Sequence, residues 1–312
     1  MGHVIKIIPH WQYKVYPSIQ RYPHHNLAKL DNSCYTQTQQ TNREDTHLRV
    51  VMRGAGDIAT GIALRLFAAR FQVIMLETAQ PTAIRRTVSF STAVVNGTAT
   101  VEGVAGVLTP SIDKVEPILA SGKIAVLVDP NARLLPQLHP DALVDAILAK
   151  RNLGTARTDA PVVIGVGPGF TAGVDCHAVV ETKRGHDLGR VILQGQGAVN
   201  TGIPGEIGGH SSLRVLRAPS AGTFRQVLDI GTHVTPGDVI GTVDGVPVVT
   251  EIAGILRGVL PSGIPVVPQM KCGDVDPRCA LSHCYTVSDK ARAVGGGVLE
   301  AILRLSPGPV TL

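Results

Sequence analysis

The sequence predicts an α/β protein with a Rossmann-like parallel sheet domain, a β-rich domain and a C-terminal helix. A short apolar strand at 48–53 runs into the segment 54–59, Gly-Ala-Gly-Asp-Ile-Ala, which matches the G-x-G-x-x-A form of the dinucleotide-binding fingerprint. Further apolar runs at 123–129 and 161–166 have the uniform apolarity of buried parallel strands. After residue 176 the chain changes to short strands separated by turn residues.

Length and composition limit the classes of protein this chain can be. Its 312 residues are enough for two compact units, and the net charge of +5 is too small and too scattered for a nucleic-acid partner. No apolar run approaches the roughly 18 residues that span a bilayer, so we expect no membrane partner. Five cysteines, an odd number, indicate free thiols in a reducing compartment. We expect a cytoplasmic protein that forms a homo-oligomer.

Residues 1–47 differ in composition from the rest of the chain. They contain the single tryptophan and four of the five tyrosines, but only one of the 34 glycines. Neither helical nor strand periodicity runs through them, and such a segment buries too little apolar surface to offset its ordering entropy. We predict a disordered extension. The alternative is a metal site at His24 and His25, for which a histidine pair alone is a weak signal.

Domain boundaries follow from these changes of pattern. We expect a Rossmann-like domain at 48–170, a β-rich domain at 171–287 and a final helix at 288–306. Within the first domain, residues 141–150 have the pattern of a helix, and Asn-Gly at 96–97 between two apolar runs predicts a hairpin.

The glycine fingerprint predicts a ligand site at the edge of the sheet. Gly54 permits the tight turn, and Gly56 lets a ligand approach the backbone. Glu77 ends the second predicted strand 21 residues after Gly56, where a ribose-binding carboxylate is expected. A nucleotide-type ligand is one interpretation, and a Rossmann-like fold that binds nothing at this edge is the other.

Charged residues near the fingerprint bear on this choice. Asp57 places a negative charge at the helix N-terminus, where it can cap the helix but repels phosphate. Arg85 and Arg86 follow the second strand and could restore the charge balance. A second glycine turn, Gly167 to Gly169, is expected at the same sheet edge. The candidate cofactor-binding residues are Gly54, Gly56, Asp57, Glu77, Arg85, Arg86, Gly167 and Gly169.

Residues 219–275 contain an imperfect internal repeat in the β-rich domain. The runs at 230–240 and 260–270 each combine a glycine, a valine and a turn. This pattern resembles the barrel-sandwich of biotinyl and lipoyl domains, which carry a modified lysine at the hairpin between the two halves. The corresponding hairpin here, 243–247, has no lysine, so we expect the shape without an attached swinging arm.

A turn at 271–278 concentrates acidic and basic residues. Cys272, Asp274 and Asp276 are weak candidates for a metal site, and an ion-paired turn with Lys271 and Arg278 is the alternative. No standard zinc spacing is present among the cysteines that follow.

Seven segments together resemble the YqeB-type accessory proteins of the selenium-dependent molybdenum hydroxylase system. The resemblance covers about residues 49–305, and it implies a Rossmann-like domain and a link to the maturation of molybdenum enzymes, without assigned catalytic residues. The segments are RGAGDIATG (53–61), RRTVSF (85–90), VGPGFTAG (166–173), ETKRGHDLGRV (181–191), TGIPGEIGG (201–209), GDVDPR (273–278) and SDKARAVGGGVLEAIL (288–303).

Three functions follow as hypotheses. The first is a maturation factor for a selenium-dependent molybdenum hydroxylase that binds a phosphate-bearing cofactor, either a nucleotide or a molybdopterin-type cofactor, with that hydroxylase as a partner. In this hypothesis Cys176 or Cys272 would carry sulfur or selenium, which requires an accessible thiolate. The second is an NAD(P)-dependent oxidoreductase that uses Glu77, and the third is a non-catalytic scaffold that docks a partner enzyme.

Overall fold

A nine-stranded mixed sheet forms the centre of the fold in the computed structural model, which describes residues 48–200, 202 and 205–306. The predicted extension at 1–47 lies outside the described residues. The sheet order is β10-β9-β7-β6-β1-β2-β5-β4-β3, and β8 and β11 form a separate pair. The first eleven strands are β1 (Arg49–Arg53), β2 (Gln72–Glu77), β3 (Thr98–Val101), β4 (Val104–Leu108), β5 (Ile124–Val128), β6 (Ala142–Asp145), β7 (Val162–Val166), β8 (Thr171–Ala172), β9 (Ala178–Val180), β10 (Val191–Ile192) and β11 (Gly195–Gln196).

Six α-helices accompany these strands, and the longest two lie on the same face of the sheet. Side chains of β1 alternate between the faces: Val50 and Met52 pack toward α1 and α6, whereas Val51 packs in the core on the other face. The helices are α1 (Asp57–Ala68), α2 (Thr92–Asn96), α3 (Val115–Ala120), α4 (Leu135–Leu138), α5 (Ser282–Tyr285) and α6 (Asp289–Leu305), with 3-10 turns at Arg86–Val88 and Ile112–Lys114.

Small residues let α1 and α6 approach closely. A Cβ atom added at Gly61 would overlap the Cβ of Ala291, and one added at Gly295 would lie 2.9 Å from the carbonyl oxygen of Gly61. Ser288 caps the N-terminus of α6, where its side chain accepts a hydrogen bond from the amide of Ala291 at 3.2 Å. The glycines that weaken α6 as an isolated helix are therefore the residues that let it pack.

Two four-stranded antiparallel sheets form the second half of the chain. The sheet orders are β16-β15-β13-β18 and β12-β19-β17-β14, and Phe224, Ile240 and Leu256 lie in the core between them. Ile84, from the segment after β2, belongs to the same core, and its carbonyl accepts a hydrogen bond from the amide of Val259 at 2.9 Å. The strands are β12 (Val215–Arg217), β13 (Gly222–Gln226), β14 (His233–Val234), β15 (Val239–Val243), β16 (Val246–Val249), β17 (Gly254–Val259), β18 (Ile264–Val266) and β19 (Lys271–Asp276).

The predicted fold class is wrong for the first half. The main sheet is mixed, because the edge strands β3 and β10 pair antiparallel with β4 and β9. A doubly wound Rossmann fold also needs crossover helices between successive parallel strands. Of the described helices that connect strands of the main sheet, only α1 is longer than six residues. The predicted helix at 141–150 is the buried strand β6 followed by a loop, and the predicted hairpin glycine Gly97 instead ends α2.

The predicted barrel-sandwich segment is also wrong. The strands of 219–275 divide between two separate antiparallel sheets, one of which takes β12 from before the segment. The core is completed by Ile84 from outside the β-rich half, so residues 219–275 do not form a self-contained module. Among the described residues, no helix has both the length and the apolarity needed to cross a membrane.

Two adjacent glycines of α6 should respond to alanine with opposite signs. A Cβ at Gly297 would overlap the carbonyl oxygen of Gly189, so Gly297→Ala should destabilise the protein by about 2 kcal/mol. A Cβ at Gly296 meets no described atom within 4 Å, so Gly296→Ala should stabilise it by about 0.5–1 kcal/mol through helix propensity. Urea unfolding of the two variants measures both; equal effects would contradict the packing described here.

Candidate functional site

The predicted glycine loop is shaped by packing on one side and is open on the other. Gly54 has φ +92°, and its amide donates to the carbonyl of Leu76 at 2.7 Å. A Cβ at Gly54 would lie 3.0 Å from the carbonyl oxygen of Ala146, so glycine is required for the close approach of the two chain segments. A Cβ at Gly56 would meet no described atom within 4 Å, because this residue faces a cavity.

That cavity, of about 890 Å³, has an acidic lining, and we call it the acidic pocket. Its carboxylates are Asp57, Glu77 and Asp129, whereas Arg53 is its only cation among the described residues and pairs with Asp145 at 3.3 Å. Excess negative charge makes this pocket unfavourable for a phosphate group.

The carboxylate of Glu77 occupies the glycine loop itself. One oxygen accepts from the amide of Ala55 at 2.8 Å, and the other accepts from the amide of Thr78 at 2.7 Å. Glu77 therefore fixes the loop conformation and takes a backbone donor that a phosphate would otherwise use. This geometry argues against the predicted pyrophosphate-binding role of the loop.

A second cavity, of about 720 Å³, adjoins the first, and we call it the basic pocket. The two cavities share five residues in their walls: Asp57, Ile58, Thr82, Ala83 and Leu148. Seven cationic side chains line the basic pocket against three carboxylates, so its lining carries a positive formal charge. The cations are Arg85, Lys183, Arg184, Arg214, Arg257, Lys271 and Lys290, and the carboxylates are Asp57, Glu181 and Asp274.

Arg85, a predicted ligand residue, lies in the wall of the basic pocket with its side chain 6% exposed. Its guanidinium donates to the carbonyls of His283 and Thr286 at 2.9 and 3.0 Å, and it lies 3.6 Å from a carboxylate oxygen of Asp57. Its buried Nε has no hydrogen-bond partner among the described residues. Burial lowers the pKa of Arg85, although the charge of Asp57 raises it in part. A buried donor without an acceptor is unfavourable for folding.

Buried ion pairs lie beneath the basic pocket. Asp274, on β19, accepts hydrogen bonds from Arg214 and from Arg257, whose Nε lies 2.8 Å from the carboxylate. Arg257 also reaches Asp276 at 3.2 Å, and Arg278 donates two hydrogen bonds to Asp276. Burial alone would raise the pKa of Asp276, but the hydrogen bonds from Arg278 and the charge of Arg257 hold it well below its usual range.

Lys271 joins these ion pairs from the cavity side. Its Nζ lies 3.8 Å from Asp274, and its side chain is 43% exposed. Burial of the ammonium, only partly offset by Asp274, lowers the pKa of Lys271, and Arg214 and Arg257 lower it further. Burial likewise lowers the pKa of Lys290, with a contribution from the charge of Arg184. The pocket thus contains two amines that lose their protons more readily than exposed lysines do.

Glu181, at the end of β9, holds the wall that carries Lys183 and Arg184. One carboxylate oxygen accepts from the amides of Thr182 and Lys183 at 2.7 and 2.6 Å, and the other accepts from the amide of Ala198 at 2.6 Å. Three hydrogen bonds to backbone amides fix the segment on both sides of the pocket rim.

The remaining predicted ligand residues do not reach either pocket. Arg86 donates to the carbonyl of Val259 at 2.9 Å and to the side chain of Gln226, and it lies outside both linings. Gly167 and Gly169 have positive φ values of 82° and 108° and pack against Thr182 and the backbone of Arg151. The structure therefore brings Gly54, Gly56, Asp57, Glu77 and Arg85 to the paired cavities. The second glycine turn borders the basic pocket through Pro168, whereas Gly167, Gly169 and Arg86 lie outside both linings.

The cysteine and metal candidates also take structural roles. Cys176 and Cys272 are fully buried, and burial raises the pKa of each thiol to about 11. Neither is an accessible thiolate, so the predicted role in carrying sulfur or selenium does not fit the structure. Asp274 and Asp276 are engaged by arginines, and the described part of the chain contains no group of three or more His, Cys, Asp or Glu side chains placed to hold a metal ion.

Most of the cations in the basic pocket are not among the residues predicted from the sequence. Lys183, Arg184 and Lys290 occur in segments that carry the family resemblance, but nothing in the sequence directs them to one cavity. Arg214 and Arg257 reach Asp274 only through the pairing of β12 and β17 with β19. The available signal was the alternation of acids and bases at 271–278.

Comparison with curated proteins finds one strong relative. Over 259 residues the chain is 52% identical to an uncharacterized protein of Escherichia coli strain K12, and the alignment covers 83% of this chain. The chain is similar to YqeB. It spans about half, 48%, of that protein's length. No family model matches the chain.

Solved structures match the chain only weakly. An aspartoacylase family protein from Mesorhizobium loti is 12% identical with a TM-score of 0.24, and a succinylglutamate desuccinylase/aspartoacylase from Rhodobacter sphaeroides is 16% identical with a TM-score of 0.23. The ectoine utilization protein EutE from Ruegeria pomeroyi is 12% identical with a TM-score of 0.23. Each alignment covers 73% of this chain and 85% of the other. With superpositions this poor, we transfer neither fold nor activity.

The functional prediction is corrected by these comparisons. The matched structures are described as aspartoacylase, desuccinylase or ectoine utilization proteins, and the matched relative is uncharacterized. None of the matched structures is named as a maturation factor for a selenium-dependent molybdenum hydroxylase or as an NAD(P)-dependent oxidoreductase. We therefore drop both functions, together with the molybdenum-cofactor and nucleotide-binding roles.

The buried ion pairs should contribute a pH-dependent part of the stability. Asp276→Asn removes a charge that faces Arg257 and Arg278, so it should destabilise the protein by about 3 kcal/mol near neutral pH. Because the pKa of Asp276 is lowered on folding, its contribution is complete above the ordinary value of 3.8 and is lost as pH falls through the folded-state value. The difference between variant and wild type should therefore shrink only in strongly acidic solution.

Urea unfolding at a series of pH values measures this difference. Asp187→Asn is the matched control, because Asp187 forms an exposed pair with Arg190 and should contribute less than about 0.5 kcal/mol. Equal destabilisation by the two substitutions at neutral pH would show that the buried pairs have no special role.

Proposed function

We propose that this protein binds a small molecule carrying two or more negative charges, carboxylate or phosphate, in the basic pocket. The observation that carries the proposal is the convergence of seven cationic side chains on one cavity whose lining contains three carboxylates. The described carboxylates compensate only part of this charge.

The types of cation suit this class of ligand. Arg85, Arg214 and Arg257 are less than a tenth exposed, and guanidinium groups bind carboxylate and phosphate oxygens through paired N–H donors. Their partial burial reduces screening by water, which strengthens attraction to an anion.

The acidic pocket would restrict where such a ligand binds. It adjoins the basic pocket at Asp57, and its carboxylates Glu77 and Asp129 repel an anion that moves further along the cleft. Repulsion next to an attractive site is an effective source of specificity. The ligand's charged groups are therefore expected at the end of the cleft lined by Arg214 and Lys271.

Titration calorimetry with two probes, citrate and pyrophosphate, tests the proposal. We expect saturable binding of at least one, with affinity falling as ionic strength rises. Lys183→Gln and Lys290→Gln should each weaken binding about fivefold, equivalent to about 1 kcal/mol. Binding of citrate alone would identify a polycarboxylate ligand, and binding of pyrophosphate alone would identify a phosphate-bearing one.

Lys123→Gln is the control, because Lys123 is exposed and lies outside both pockets. The proposal fails if neither probe binds, or if all three substitutions weaken binding equally, since the second result would indicate only an effect of net charge.

A further inference from the structure

A single buried carboxylate, Asp274, faces three cations at the base of the basic pocket. Arg257 and Arg214 hydrogen-bond to it, and Lys271 Nζ lies further out at 3.8 Å. Arg257 also forms an ion pair with Asp276, and Asp276 forms a second ion pair with Arg278. The carboxylates of this cluster therefore do not neutralise all of its cations.

Lys271 is the member of this cluster that can lose its positive charge by releasing a proton. Guanidinium groups stay protonated in proteins, whereas an ammonium group beside other cations loses its proton readily. Lys271 is also the outermost cation, and its half-exposed side chain is accessible from the cavity. An accessible amine that loses its proton readily, next to fixed cations, is a nucleophile of the kind that attacks carbonyl carbon.

We propose that Lys271 Nζ forms an imine with the aldehyde or ketone group of an anionic small molecule bound in the basic pocket. This inference rests on the proposed function, because the surrounding arginines and lysines are what would bring the carbonyl compound to the amine. The ligand then carries a carbonyl group as well as its negative charges, and the site forms a covalent bond to it.

The step balances without a further reactant. The neutral amine attacks the carbonyl carbon, a C–N bond forms, and one proton passes from the nitrogen to the carbonyl oxygen to give a carbinolamine. Protonation and loss of that hydroxyl as water breaks the C–O bond and leaves a protonated imine. Amine, carbonyl compound and one proton from solvent thus become iminium and water. The positive charge of the product is again beside Asp274, which stabilises it.

Position distinguishes Lys271 from the other lysines of the pocket. Burial and the charges of Arg214 and Arg257 lower the pKa of Lys271, and burial and the charge of Arg184 lower that of Lys290, so the pKa shifts do not separate the two. Lys271 is the first residue of β19, where it pairs with Arg217 of β12 and lies beside Asp274. Lys183 and Lys290 lie instead on a loop and in the first turn of a helix.

Reductive trapping on the full-length chain tests the proposal. The protein is treated with 2-oxoglutarate, a dianionic ketone, and sodium cyanoborohydride, which reduces imines, and the adducts are located by peptide mass mapping. We expect one main adduct, on Lys271, formed about tenfold faster than on Lys290, because the guanidinium groups around Lys271 concentrate the dianion beside its amine. Acetone, which has the ketone without the charges, should react more slowly at Lys271 and show no such preference over Lys290.

Lys271→Arg keeps the charge and removes the nucleophile, and Lys290→Arg is its matched control. The first should abolish the main adduct while citrate or pyrophosphate still binds, and the second should leave the adduct unchanged. If Lys271→Arg does not fold, the positions of the adducts on the wild-type protein alone test the proposal. Adducts spread evenly over surface lysines would overturn the imine proposal, and if the anion probes still bind, the proposed binding function survives it. Failure of both anion probes would instead remove the proposed function.

Discussion

The ion pairs of Asp274 are the interaction on which the basic pocket depends. This carboxylate is fully buried on β19, and it is compatible with burial only because Arg214 and Arg257 donate hydrogen bonds to it. The same ion pairs hold two guanidinium groups at the base of a cavity, where unpaired arginines would be expelled to solvent. Asp274 thus allows the protein to keep strong positive charge in a partly buried site.

Close backbone contact between the two halves of the chain forms the cavity above these ion pairs. A Cβ at Gly258 would lie 3.0 Å from the carbonyl oxygen of Ile84, so β17 packs directly against the segment that follows β2. The next residue, Arg85, then extends to the carbonyls of His283 and Thr286, near the C-terminal helix. One short segment therefore contributes to the core of the β-rich half through Ile84 and to the pocket wall through Arg85.

The sequence predicts a helix or strand correctly where the element's own apolar pattern determines its structure. Apolar spacing predicts β1, β2 and α1, because each buries a regular set of side chains. The same reasoning fails at 141–150, where a buried strand and a helix have similar apolar patterns and only the neighbours β1 and β7 decide. The site is harder still, because Arg85, Arg214 and Lys271 meet through pairings between distant strands that no local spacing encodes.

Asp57 has a role in the structure that its place in the sequence does not reveal. Its position at the start of α1 does disfavour phosphate, as the sequence indicates, and Glu77 reinforces this by accepting from the amide of Ala55. In the structure, however, Asp57 also lies 3.6 Å from Arg85 and lines both cavities. Its carboxylate marks the boundary between an acidic region at the glycine loop and a basic region beside it. The N-terminus of α1, which resembles an anion site, therefore lies between the two regions. Cations from distant segments of the chain, and not the glycine loop, would attract an anion.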